Sequence, residues 1–77
     1  MKKILKFEYL LKKYKENLNR LETLDLSSLE LIEIDSNTFS KLKNLHKLLL
    51  NDNQLQLIHP KTLEKLTYLQ QLDLSNN

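Results

Sequence analysis

Residues 1–77 predict an α/β solenoid, in which an amphipathic N-terminal helix leads into stacked turns of chain, each adding one short strand to a parallel sheet. Three observations predict it. The spacing of apolar residues is helical up to residue 21 and not beyond it, the later leucine pattern returns at a fixed interval, and the net charge changes sign at the same boundary.

In the first segment Ile4, Phe7, Leu11, Tyr14, Leu18 and Leu21 step by three or four residues, which lines one side of an α-helix. Glu8 with Lys12 and Glu16 with Arg20 are i,i+4 pairs in the favourable orientation, each contributing a few tenths of a kcal/mol. A helix is expected over residues 3–18, with Asn17 and Asn19 as its first breakers, inside a basic unit spanning residues 1–20. That unit carries seven basic side chains against Glu8 and Glu16, whereas residues 21–77 carry five basic against eight acidic.

From Leu21 onward leucines fall at 21, 24, 26, 29 and 31, a stepping that no single helical stripe accommodates. The pattern returns after 24 residues: Leu21, Leu45 and Leu69 align, as do Leu24, Leu48 and Leu72, and Leu26, Leu50 and Leu74. Beyond the strand the register persists in Leu31 with Leu55, Ile34 with Ile58, Phe39 with Leu63 and Leu42 with Leu66. Two complete units, 21–44 and 45–68, are followed by a partial one, 69–77. The stretch LHKLLLNDNQL, residues 45–55, has Leu45, Leu48, Leu50, Asn53 and Leu55 at the spacing L-x-x-L-x-L-x-x-N-x-L. By that motif the segment resembles the leucine-rich repeat family, and its convex part, IHPKTLEKL, looks like that of 24-residue repeats in extracellular receptors and matrix proteins. Where the family tends to have proline this chain has His59, with Pro60 following.

The resemblance implies a short strand on the concave face of each repeat. Alternation then sends Leu48 and Leu50 inward and Lys47, Leu49 and Asn51 outward. Leu55, Ile58, Leu63 and Leu66 fill the interior from the turn and the return segment. In the family the signature asparagine turns inward and bonds the backbone of neighbouring repeats, because a buried amide needs partners. Position 29, equivalent to Asn53 and Asn77, departs from the pattern by being leucine. The first turn is therefore expected either to relax or to leave polar groups to water.

A repeat stack exposes apolar ends that caps must cover. The helix is expected to cover repeat one with Phe7, Leu11, Tyr14 and Leu18; binding of a membrane surface, an acidic partner or nucleic acid, or coiled-coil pairing, are the alternatives. At the other end LQQLDLSNN reads as a strand and the start of a turn. Two expectations follow: a longer array of which this is a fragment, or an edge that pairs with a second copy.

The composition narrows the chemistry. With no cysteine there is neither a disulfide framework nor a thiolate metal site, and with no glycine there is neither a phosphate-cradling loop nor a nucleophile elbow. His46 and His59 have no i,i+4 metal partner and lie on different parts of the repeat, and Asp25 and Asp73 stand about 10 Å apart at two strand spacings, with Leu49 between them. No catalytic residue, cofactor or metal site is assigned. Tyr9 and Tyr14 on the basic segment are better placed for packing than for stacking bases, so nucleic acid is not the expected partner. No apolar run approaches the ~18 residues of a membrane span, and the N-terminal apolar runs are shorter than the ~7–15 residues of a signal-peptide core. The compartment stays unassigned: the repeat type resembles extracellular proteins, while the absence of cysteine and of a signal-like run points the other way.

The outward strand positions remain for function: Thr23, Asp25 and Ser27, then Lys47, Leu49 and Asn51, then Gln71, Asp73 and Ser75. Solenoids hold protein partners on such concave surfaces, so the expected role is non-catalytic protein recognition, with Leu49 as the one apolar side chain among polar neighbours. The competing expectation is a structural module that dimerises through its C-terminal edge.

Overall fold

The computed structural model describes residues 3–77, so Met1 and Lys2 of the expected helical unit lie outside the described residues. The elements are β1 (Ile4–Leu5), α1 (Phe7–Tyr14), a 3-10 helix (Lys15–Arg20), β2 (Thr23–Asp25), β3 (Glu33–Ile34), β4 (Lys47–Leu49), a second 3-10 helix (Pro60–Thr62) and β5 (Gln71–Asp73).

The 24-residue interval becomes the register of a parallel sheet in the order β2-β4-β5. Thr23, Lys47 and Gln71 are opposite one another, as are Leu24, Leu48 and Leu72, and Asp25, Leu49 and Asp73. The ladder continues past the strands: Leu26 N donates to Leu49 O at 2.8 Å and Ser28 N to Asn51 O at 3.1 Å, and one repeat later Leu50 N donates to Asp73 O and Asp52 N to Ser75 O. Leu24, Leu26, Leu48 and Leu50 are buried in one core with Leu31, Ile34, Phe39, Leu42, Leu45, Leu55 and Leu66. That core is almost entirely leucine, so its shape depends on where the backbone places the side chains.

After each strand the chain must turn without glycine. Ser28, Asp52 and Asn76, again 24 residues apart, take positive φ of 55°, 58° and 57°. Asp and Asn tolerate this region better than most residues, so the later repeats suit it better than the first.

Asn53 then secures the turn. Its Oδ1 accepts from Leu29 N at 3.0 Å and Leu31 N at 3.1 Å, both in the preceding repeat. Its Nδ2 donates to Leu26 O, Leu50 O and Asn51 O at 3.0–3.3 Å. Asn77 repeats the arrangement, accepting from Leu55 N and donating to Leu50 O, Leu74 O and Ser75 O. The amide of each repeat thus bonds the backbone of the repeat before it. This resolves the departure at Leu29: its turn is bonded by Asn53 from the next repeat, and its side chain is half-buried against the core. The turn also relaxes, since Glu30 takes a positive φ of 59° that its equivalent Gln54 does not.

The N-terminal segment departs from the expected single helix. Ile4 and Leu5 form a strand parallel to β3, α1 has only eight residues, and Lys15, with φ 54° and ψ −122°, breaks it ahead of Asn17. The buried face differs too. Leu10 is completely buried and Leu18 nearly so, Phe7 and Tyr14 pack against the core, and Leu11 is 47% exposed. Steps of three and four are both helical, so Phe7 to Leu10 fits the same face as Phe7 to Leu11, and the tertiary contact selects Leu10. Lys13 covers the two outer aromatics, its Nζ lying 5.9 Å from the Tyr9 ring centre and 5.6 Å from that of Tyr14.

Candidate functional site

The outward face of the β2-β4-β5 sheet gathers the nine positions singled out above. Thr23, Lys47 and Gln71 form one row across the strands and Asp25, Leu49 and Asp73 a second. Ser27, Asn51 and Ser75 extend it where the ladder continues. Alternation puts these side chains opposite the buried leucines, and all nine are exposed or half-buried. Leu49 is half-buried, between two aspartates in register with it.

Both aspartates are held by their own strands. Asp25 Oδ1 accepts from Ser27 N at 2.9 Å and from Ser27 Oγ at 2.6 Å. Asp73 does the same with Ser75 at 3.0 and 2.6 Å. The spacing D-x-S recurs after 48 residues and is broken at Leu49 and Asn51. The serine hydroxyls, then the serine amides, hold both carboxyls below the ordinary 3.8, with a further lowering by Lys13 and Lys47 at Asp25 and by Lys47 at Asp73. Hydrogen bonding to the charged form is the main cause, so the face carries two fixed anions around one apolar side chain. This pinning was legible as a repeated D-x-S pattern, but the reading of outward positions one by one passed over it.

A depressed folded-state pKa gives stability that is present above the unfolded value near 3.8 and lost as pH falls through the folded value. Ser27→Ala and Ser75→Ala are expected to raise the pKa of Asp25 and Asp73 respectively toward 3.8, and to remove part of the loss of stability below that pH. Carbon-detected NMR titration of the carboxyls tests this; unchanged titration in both variants would assign the lowering to Lys47 alone.

The histidines do not meet. His46 precedes β4 and stacks on Tyr68, ring centres 6.4 Å apart. His59 precedes the second 3-10 helix, where its Nδ1 accepts from Lys61 N at 3.1 Å, the role Asp35 plays toward Asn37 N one repeat earlier. Its place in the sequence gave no hint of this capping role. Among the described residues no group of three or more His, Asp or Glu is arranged to hold a metal ion, and no helix is long and apolar enough to cross a membrane.

A family model described as leucine rich repeat matches residues 19–77. The chain belongs to the leucine-rich repeat family. It is 45% identical over 47 residues to a protein named Chaoptin from Tribolium castaneum, a match covering 61% of this chain and 6% of that protein. The chain therefore spans a small part of the length of this relative. No solved structure matches it. Leucine-rich repeat domains generally serve as protein-interaction modules and are typically not enzymes, and the asparagine ladder and 24-residue register described above are the family's features in this chain.

Proposed function

We propose that this chain is the leading segment of a longer α/β solenoid, residues 1–20 capping repeats 21–44, 45–68 and 69–77, and that it recognises a protein partner without catalysis. The partner lies on the concave sheet face formed by Thr23, Asp25, Ser27, Lys47, Leu49, Asn51, Gln71, Asp73 and Ser75. The observation that carries this reading is the register row Asp25-Leu49-Asp73, in which a half-buried apolar side chain stands between two pinned carboxylates. An apolar contact ringed by polar groups has the composition of a binding hot spot, and these side chains are not needed for packing.

A library of displayed peptides panned against the chain is expected to return binders whose affinity falls about tenfold or more on Leu49→Lys, the loss of one hot-spot contact. Binders indifferent to changes at Asp25, Leu49 and Asp73 would move recognition to another surface. A second reading is self-association through the β5 edge, supported by Leu72 and Leu74, which are 40% and 39% exposed. Sedimentation separates the two. A monomer stabilised by appending a further repeat supports the array, and a dimer lost on Leu72→Lys or Leu74→Lys supports self-association.

A further inference from the structure

The two repeats carry the same strand-docking site, and only the first is filled. In repeat one β1 runs parallel to β3. Ile32 N donates to Lys3 O at 3.0 Å, Asp35 N to Leu5 O at 2.9 Å, and the buried Thr38 hydroxyl to Leu5 O at 3.0 Å. Twenty-four residues on, the corresponding donors are Gln56 N, His59 N and the Thr62 hydroxyl. Among the described residues neither amide bonds to protein, and the Thr62 hydroxyl is buried without a partner. A buried hydroxyl left unbonded is costly, so this vacancy calls for an explanation. The preceding repeat does not fill it: between Glu33, Ile34 and Asp35 on one wall and Gln56, Leu57 and His59 on the other lies an open cleft of about 490 Å³.

We propose that this cleft takes a short extended segment of a partner protein, an apolar pair flanked by basic residues, added parallel to residues 57–58 as β1 is added to β3. Strand addition draws its affinity from main-chain bonds, and here three donors stand at the spacing that already holds a strand one repeat earlier. The basic flanks follow from charge. Glu33 and Asp35 line one wall of the cleft, and β1, seated on the other side of the same segment, has Lys3 and Lys6 at its ends. The apolar pair follows from Leu5, which is buried where β1 docks. The site is separate from the sheet face proposed above, and neither reading depends on the other.

The test titrates the capped peptide KKILKFE, the sequence around β1, into the isotopically labelled full chain. Saturable amide shifts are expected at Gln56 and His59, with a midpoint below about 1 mM, while Ile32 and Asp35 stay protected from hydrogen exchange because β1 remains in place. Thr62→Val removes a hydroxyl that bonds nothing in the free chain, so the fold should persist while peptide affinity falls about threefold or more. No saturable shift at Gln56 and His59, loss of protection at Ile32 and Asp35 through exchange with β1, or unchanged affinity in the Thr62→Val chain would each overturn the proposal.

Discussion

Asn53→Ala is expected to lower stability by about 3 kcal/mol or more, lowering the unfolding midpoint by about 12 °C or more at the usual conversion for a chain of this size. The reason is the number of groups that depend on one amide. Five hydrogen bonds end on it, and three of the groups it serves, Leu29 N, Leu31 N and Leu26 O, belong to the preceding repeat. Leu50 O keeps a second donor in Asn77 Nδ2. Each buried group left alone costs about 1–3 kcal/mol, against about 4–12 kcal/mol for the whole of such a small domain. Leu29→Asn should change stability by no more than about 1 kcal/mol, because no earlier repeat offers it backbone to bond and Asn53 already serves its turn. Urea unfolding of the two variants decides: a loss below about 1 kcal/mol for Asn53→Ala would mean that water replaces the amide without penalty.

The same residue shows what a single sequence discloses about this fold. The 24-residue offset could be read from Leu24, Leu48 and Leu72 alone, because a repeated core position fixes a repeated backbone position, and the sheet register follows without adjustment. The direction in which the asparagine ladder works could not be read, since hydrogen-bond partners two dozen residues away leave no trace in local pattern. Hence Leu29 looked like a defect in the first turn and is a position whose bonding comes from the next.

The sheet face was legible for the same reason as the register: alternation decides which side chains point out. Its electrostatics were not, because Asp25 and Asp73 had been weighed as a pair across the sheet, whereas each is governed by a serine two residues along its own chain. The N-terminal segment was the least legible. Helical spacing admits Leu10 and Leu11 equally, and no local signal says that Ile4 and Leu5 leave the helix to pair with β3, a choice made by the docking site at Asp35 and Thr38.

That ambiguity sets up the second large effect. Leu10→Ala should cost about 2–5 kcal/mol, as for other completely buried leucines, and Leu11→Ala should fall within about 0.5 kcal/mol of the parent. The pair bears on what the basic segment is for. Leu10 shares its core with Leu24 and Leu26 beneath the first strand, so loosening it should uncover repeat one and carry through to the sheet. If the segment caps the stack, Leu10→Ala weakens the whole chain in one cooperative transition, and protection of the Leu26 and Ser28 amides, which bond to repeat two, falls with it. If it is instead a detachable basic helix meant for an acidic surface, Leu10→Ala should melt residues 7–20 alone and leave those amides protected. Hydrogen exchange at Leu26 and Ser28 in the Leu10→Ala chain therefore distinguishes a cap from a detachable arm, with the cap predicting loss of protection at both.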